Sequence, residues 1–193
     1  MVHGGEVLAR ALPFFLGTIA TEAALSELRH RRSGKPRTFF PRQAMSNLSA
    51  GALQTLLGLY YTSLLLAPYI WVRGWAEHLF WVPQVEDRPR LQHALAFVLN
   101  DFGYYWSHRA MHASNIGWAS HVAHHNSPDF NYSTALRQGA LEPLAMGWPF
   151  YLPLAALGVP PEIFWLHRNI NSIIQVRRAA PGRGSQGAHV APD

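Results

Sequence analysis

Five histidines between residues 108 and 125 are the side chains best suited to chemistry in this sequence of 193 residues. His108 and His112, in the run HRAMH, are four residues apart, so on a helix both imidazoles lie on one face, about 6 Å apart. The run HVAHH begins nine residues later and adds His121, His124 and His125. Neutral imidazoles grouped in this way suit Fe, Zn, Cu or Ni. The spacing therefore predicts a transition-metal site.

The second run also predicts how its histidines are shared between ions. His121 and His124 are three residues apart and share a helix face, whereas His125 points about 100° away and is expected to reach a second ion. A single HxxxH pair is more often two surface histidines of a helix than a metal site. Two histidine runs within eighteen residues, next to an apolar segment, favour metal binding.

A carboxylate precedes the histidines. Asp101 lies in an apolar segment seven residues before His108, so both are expected on roughly the same helix face. A carboxylate within a membrane segment is usually functional. We expect Asp101 to accept a hydrogen bond from the N–H of a ligand imidazole and so to orient it. The alternative is an ion pair with Arg109 near the membrane surface.

The run NYSTALRQ follows the second histidine run and supplies further polar candidates. Asn131 and Arg137 are predicted to lie next to the metal ligands and to support them. Ser133 or Thr134 could cap the helix expected after them. Arg137 and Glu142 could equally form an exposed ion pair, which would contribute little to stability.

The composition places these residues in an apolar chain. Only 14% of the residues are charged and 49% are hydrophobic, whereas an ordinary soluble domain is about 25% charged. The absence of Cys excludes a disulfide scaffold, Cys-ligated zinc, iron–sulfur clusters and thiol catalysis. A net charge of +5 would suit nucleic acid. No RNA- or DNA-binding motif occurs, however, and we expect no nucleic-acid partner.

Four apolar segments are candidates for crossing a membrane. The strongest is 43–72, thirty residues without a formal charge, where about 20 suffice to span the hydrocarbon. Aromatic residues at its end are typical of a membrane interface. Weaker segments are predicted at 11–26, 91–107 and 143–161. The last contains five prolines, which favours a kinked span or a re-entrant hairpin over a straight helix.

Charge predicts the orientation of these segments. Six of the sixteen Lys and Arg residues lie within 29–42 with no acidic residue among them, so this loop should face the cytoplasm. The loop 73–90 carries three arginines and three acidic residues and can lie on the opposite side. The next segment then returns, which places the histidines on the cytoplasmic face. The predicted fold class is all-α: an integral, multi-pass membrane helical bundle with a cytoplasmic histidine-rich metal-binding region.

The runs DFGYYWSHRAMH and WASHVAHHNSPDFNYSTALRQ resemble the first two histidine boxes of the fatty acid hydroxylase/sterol desaturase superfamily, whose members are integral membrane di-iron oxygenases. Residues 118–138 resemble its alkylglycerol monooxygenase branch. The resemblance implies two iron ions, with zinc as an alternative, and O₂-dependent hydroxylation or desaturation of an alkylglycerol, a sterol or a fatty acyl chain. It implies electrons from tetrahydrobiopterin or from a cytochrome b5-type donor. The metal ligands that it implies are His108, His112, His121, His124 and His125.

The resemblance covers residues 91–175 and then stops. Residues 169–175 fit the approach to a third histidine box of HxxHH type, but the tail 176–193 has no such box and is rich in Arg, Gly, Pro and Ala, which predicts disorder. His189 in the tail does not replace the missing box. His167 precedes the family's ligand position and, as a lone histidine near a helix end, is expected to be structural or solvated.

These boundaries divide the chain into three parts. Residues 1–90 are predicted to form N-terminal transmembrane helices and loops, 91–175 an incomplete fatty acid hydroxylase-like domain, and 176–193 a disordered tail. We expect a truncated or frame-altered product of a gene for a longer enzyme. The membrane would be the endoplasmic reticulum in a eukaryote or the inner membrane in a bacterium.

Two classes of function fit the sequence. The first is a lipid monooxygenase. Five imidazoles complete the ligand set of one ion and only part of the set of a second. We therefore expect fewer than two metal ions per chain and little or no hydroxylase activity. The alternative is a non-catalytic metal-binding membrane protein, or a partner of a full-length relative. A metal transporter is less favoured, because the histidines lie beyond the end of an apolar segment rather than in its middle.

Overall fold

The described part of the chain consists of helices and turns and contains no strand. A computed structural model describes residues 4–79, 88–128 and 131–178. The α-helices follow one another as α1 (Gly4–Ser33), α2 (Pro41–Leu79), α3 (Pro89–Ala113), α4 (Asn115–His125), α5 (Leu152–Ala156) and α6 (Pro161–Arg178). Between α4 and α5 lie short 3-10 or π turns at Tyr132–Leu136, Pro143–Gly147 and Trp148–Tyr151. The all-α prediction is confirmed.

Proline and glycine mark several helix ends. Pro41, Pro89 and Pro161 open α2, α3 and α6, at positions where a missing backbone N–H costs nothing. After α1, Gly34 adopts φ +62°, and its N–H reaches the carbonyl of His30 at 2.9 Å. This left-handed conformation suits glycine and ends the helix.

Helix α6 extends three residues into the predicted tail, through residues 176–178. The boundary predicted at 176 was therefore too early, because neither proline nor glycine occurs before Pro181 to end the helix. The remainder of the predicted tail, with His189, lies outside the described residues.

Helix α2 has the character of a membrane helix. It is the one helix among the described residues that is long and apolar enough to cross a membrane, over Pro41–His78. Large apolar side chains point outward from it, with Leu59 73% and Trp71 68% exposed, whereas Asn47 is fully buried. Apolar side chains outside and a polar one inside suit lipid surroundings better than water. The predicted segment 43–72 thus coincides with α2, and membrane association is indicated.

The other predicted membrane segments remain predictions. Segments 11–26 and 91–107 lie within α1 and α3. Segment 143–161 is not one straight helix, since it contains two short turns and α5 and then a left-handed glycine, Gly158, at φ +80°. Its prolines account for this, because each removes a backbone donor from the helix.

An apolar core fixes α2, α3, α5 and α6 at one end of the molecule. Tyr69 of α2 stacks on Phe164 of α6 with ring centroids 4.8 Å apart, and its hydroxyl donates to the Val159 carbonyl at 2.9 Å. Ala96 of α3 and Leu154 of α5 are buried in the same cluster. The histidines lie toward the other end of α3, where the buried side chains are mainly polar.

Candidate metal centre

The corner between α3 and α4 brings the two histidine runs together. Ser114 is the single residue between the helices, and its hydroxyl accepts from the N–H of Gly117 at 3.2 Å, which caps α4. A Cβ on Gly117 would lie 2.7 Å from the Cα of Met111, so only glycine allows α4 to fold back this closely on α3. The HVAHH run therefore lies against the HRAMH run.

Four of the five predicted ligands meet at this corner. One ring nitrogen from each lies within 4.8 Å of the corresponding atoms of the other three. Within α3, the two Nε2 atoms are 3.2 Å apart, and within α4 the corresponding Nε2 atoms are 3.1 Å apart. Each pair uses the i, i+4 spacing of a helix. We call this group the four-histidine cluster; its members are His108, His112, His121 and His125.

The predicted grouping within the second run was wrong. His121 pairs with His125 rather than with His124, and His125 faces the cluster instead of pointing away from it. The reason is that His125 lies four residues after His121, so the i, i+4 spacing places their imidazoles on one helix face. The fold of α4 against α3 then turns this face toward the α3 histidines. The ring of His124 lies beside the cluster, and its Nδ1 donates to the carbonyl of Arg137 at 2.7 Å. That bond leaves Nε2 as the nitrogen that could bind an ion.

Desolvation lowers the pKa of three of these imidazoles, those of His108, His112 and His125. His121 is fully buried, His108 is half-buried, and His112 and His125 are exposed. Desolvation first, and then the neighbouring imidazoles, lower the pKa of His108 to about 4. The same causes lower the pKa of His125 to about 4. The pKa of His112 is also lowered, chiefly by desolvation. Near neutral pH these rings retain the lone pairs that a metal requires.

Arg137 connects α4 to α2. Its Nε donates to the Ala123 carbonyl at 2.6 Å, and an Nη atom donates to Ser46 Oγ at 3.0 Å and to Asn47 Oδ1 at 3.2 Å. The alternative of an exposed pair with Glu142 is therefore wrong, because the guanidinium is directed toward α2. Arg137 reaches the metal centre through its backbone, whose carbonyl holds His124.

Glu142 lies at the centre, although the sequence suggested only a surface role for it. One carboxylate oxygen is 3.3 Å from Nδ1 of His121, and the Glu142 side chain is 16% exposed. Gly139 allows this approach, because a Cβ there would overlap the carbonyl of Ser120. The only sequence signal for Glu142 was its acidic side chain just after a polar run, and that signal is weak.

Asn131 is a cap rather than a neighbour of the ligands. Its Oδ1 accepts from the N–H of Ser133 at 3.0 Å, and the hydroxyl of Thr134 accepts from the N–H of Asn131 at 3.2 Å. These reciprocal bonds form a capping box for the Tyr132–Leu136 turn. The predicted cap was Ser133 or Thr134. The cap is instead Asn131, since the turn begins one residue after it.

Asp101 bonds to α6 rather than to an imidazole. Its Oδ1 accepts from Nδ2 of Asn171 at 3.2 Å. Seven residues place Asp101 and His108 on one face but about 10 Å apart along the helix, too far for a direct hydrogen bond. The alternative pair with Arg109 is also wrong, because that side chain donates to Tyr105 and lies over Trp106.

A cavity of about 330 Å³ lies beside the cluster. It opens between α3 and α6 and shares one histidine with the cluster. Its walls are polar and aromatic: Asp101, Tyr104, Tyr105, His108, Arg109 and Gln175. A small polar group could therefore approach the cluster from this side.

His167 lies apart from the cluster, as expected. Its Nε2 is 3.1 Å from Nδ1 of His93, and the ring of Phe97 meets its ring edge to face. This pair joins α3 to α6 near the start of α3.

The cluster fits a metal ion. Four imidazoles are a typical donor set for Fe, Zn, Cu or Ni, and nitrogens 3.1–3.2 Å apart match two ligands of one ion. The exposed sides of His112 and His125 leave room for further ligands.

The sequence of the chain is similar to those of known proteins. The family model for fatty acid hydroxylases matches residues 93–178. Human alkylglycerol monooxygenase is 39% identical over 171 residues, covering 88% of this chain and 36% of that protein. The Danio rerio alkylglycerol monooxygenase is 36% identical over 166 residues, covering 86% of this chain and 35% of that protein. The Xenopus tropicalis alkylglycerol monooxygenase is 38% identical over 132 residues, covering 68% of this chain and 28% of that protein. The chain spans about a third of the length of these curated relatives. No solved structure matches it.

Proposed function

The chain belongs to the fatty acid hydroxylase family, and on that premise we propose that its histidines form the iron centre of a membrane lipid monooxygenase. The observation that carries this proposal is the convergence of four imidazole nitrogens within 4.8 Å. Iron bound there would supply the means to activate O₂ for attack on a lipid C–H bond. The similarity to alkylglycerol monooxygenases favours an alkylglycerol as the lipid, ahead of a sterol or a fatty acyl chain.

In this proposal the residues of the chain have separate tasks. The four-histidine cluster holds one ion, and His124, whose Nδ1 is bonded to the Arg137 carbonyl, offers Nε2 to a second. Asn131 and Arg137 keep the segment after α4 in place. Asp101 contributes a polar wall to the cavity beside His108.

Apolar side chains on the outside of α2 and α3 would place lipid beside this centre. Phe97, Val98 and Phe102 are more than half exposed on α3, below the histidines of the same helix. We propose a multi-pass arrangement with the histidines on the cytoplasmic face of the endoplasmic reticulum or of a bacterial inner membrane. Electrons would come from tetrahydrobiopterin or a cytochrome b5-type donor.

A second candidate is a non-catalytic metal-binding membrane protein or a partner of a full-length relative. The observation that favours it is the size of the cluster, since the four histidines that converge among the described residues complete the ligand set of only one ion. Oxidation of a lipid separates this candidate from the enzyme, because both require metal binding.

The test uses the whole chain purified in detergent and loaded with Fe²⁺ under anaerobic conditions. We expect bound iron that is lost in His121→Ala and retained in His78→Ala, a histidine in the last turn of α2. Alkylglycerol, O₂ and tetrahydrobiopterin are then added, and the oxidised lipid is measured. Iron with lipid oxidation supports the monooxygenase, and iron without it supports the second candidate. Equal iron in both variants contradicts both.

A further inference from the structure

Glu142 and His121 face each other in the interior, and each leaves a polar atom without another partner. Nδ1 of His121 and Oε2 of Glu142 are both buried, and neither atom has a well-aligned hydrogen bond. The two atoms are 3.3 Å apart. A buried polar atom without a partner is destabilising, so a small rotation that lets these two atoms form a hydrogen bond with each other is favoured.

We propose that Glu142 is a positioning residue that accepts a hydrogen bond from Nδ1–H of His121 and so fixes its Nε2 as a metal-binding nitrogen. The consequence for metal rests on the proposed function of the cluster. An ionised carboxylate can only accept a hydrogen bond, so the proton must be on Nδ1. Nε2 is then unprotonated and faces Nε2 of His125 at 3.1 Å, inside the cluster.

The turn that carries Glu142 is fixed from two sides. From α2, Gln54 Nε2 donates to the Gly139 carbonyl at 3.3 Å, and the Tyr61 hydroxyl donates to the Ala140 carbonyl at 3.1 Å. On the other side, Gly139 lies in backbone contact with Ser120 of α4. The carboxylate is therefore held against α4 by contacts that do not involve a metal.

His124 shows the same arrangement with a neutral acceptor. Its Nδ1 also points away from the cluster and donates to the Arg137 carbonyl. Two histidines of α4 are thus oriented through Nδ1 by the segment that follows the helix, one by a carbonyl and one by a carboxylate. The carboxylate adds a negative charge beside the four-histidine cluster, and this charge favours a bound cation.

The first measurement is made without metal. In the chain labelled with ¹⁵N-histidine, NMR identifies the protonated ring nitrogen of each histidine, and His121→Ala assigns the His121 signal. We expect the Nδ1–H form of His121, and we expect it to persist in Glu142→Gln, whose amide oxygen still accepts. In Glu142→Met, similar in length but without an acceptor, we expect it to be lost. The Nε2–H form in the unaltered chain, or no change in Glu142→Met, would overturn the proposal.

The second measurement is affinity for Co²⁺, followed by its visible absorption. We expect Glu142→Met to bind Co²⁺ about 10–100-fold more weakly, as for removal of other residues that orient ligand histidines, and Glu142→Gln to fall in between. Glu77→Ala, which removes a carboxylate paired with Arg73 on α2, is the control and should bind normally. Equal affinity and identical spectra in Glu142→Met would overturn the proposal. Failure of the unaltered chain to bind Co²⁺ would contradict the proposed function instead, and the NMR result would still decide the role of Glu142.

Discussion

The two halves of the four-histidine cluster are built differently. His108 and His112 project from one face of α3, and their ring nitrogens contact each other. His121 and His125 form an equally close pair on α4, but His121 is fully buried and faces the carboxylate of Glu142. In the part of the chain that the structure describes, no comparable carboxylate contacts the α3 pair.

This difference separates local from long-range control of a metal ligand. Helical spacing alone places the α3 pair, so that pair forms wherever α3 is helical. The α4 pair depends in addition on a segment that begins after the helix and docks on α2. We therefore expect the α4 half to be the more rigid and the more sensitive to substitutions far from the cluster.

The largest effect on metal affinity is expected from two single variants, each of which removes one histidine, either from the α4 pair or from the α3 pair. His121→Ala should weaken Zn²⁺ binding by more than ~100-fold, beyond the loss typical of residues that only orient ligands. His112→Ala should weaken it less, because water can replace an exposed ligand more easily than a buried one. Competition with a chromogenic chelator measures both, and His30→Ala on α1 is the control. Equal losses in the two variants would remove the distinction between the pairs.

A smaller effect is expected from Gly139→Ala, which disturbs only the α4 half. The new Cβ would overlap the Ser120 carbonyl and displace the turn that carries Glu142. Overpacking of this kind costs about 1–3 kcal/mol, and Zn²⁺ affinity should fall together with the free energy of unfolding. Denaturant unfolding and chelator competition measure the two quantities.

The control for Gly139→Ala is Gly147→Ala, because a Cβ at Gly147 has no neighbouring atom within 4 Å. It should leave Zn²⁺ affinity and stability nearly unchanged. A Gly139→Ala variant that behaves like this control would show that the turn does not brace α4.

The smallest contrast is expected from pH. The pKa values of His108 on α3 and His125 on α4 are both lowered to about 4, first by burial. A lowered histidine pKa keeps the neutral form at lower pH, so Zn²⁺ should remain bound below pH 6.5 and be released as the pH falls toward about 4. Release should be a single transition for both halves. Zn²⁺ release near pH 6.5 would contradict the effect of burial.

Sequence reasoning could predict the helical class, the position of α2 and the pairing of His108 with His112. These features follow from local patterns: apolar length for α2 and i, i+4 spacing for His108 and His112. The interruption of helical structure in segment 143–161 could also be predicted, since each of its prolines lacks the backbone N–H that a continuous helix needs.

The remaining features depend on packing between distant residues. The meeting of the His121–His125 pair with the α3 pair follows from the corner at Ser114 and Gly117, which spacing within α4 does not specify. Glu142 is twenty-one residues after His121 in the chain and meets it only because Gly139 allows close contact with α4. Asp101 was assigned to the ligands by helix face alone, whereas its hydrogen bond is to another helix.

The central claim is that four histidines from two helices bind one metal ion. X-ray absorption spectroscopy of the Zn²⁺-loaded chain tests it most directly, because imidazole ligands give distinctive scattering beyond the first shell. We predict about four nitrogen ligands at about 2.0–2.1 Å, all of imidazole type, and fewer imidazoles in His121→Ala. A first shell of oxygen with one or two imidazoles, unchanged in His121→Ala, would contradict the account.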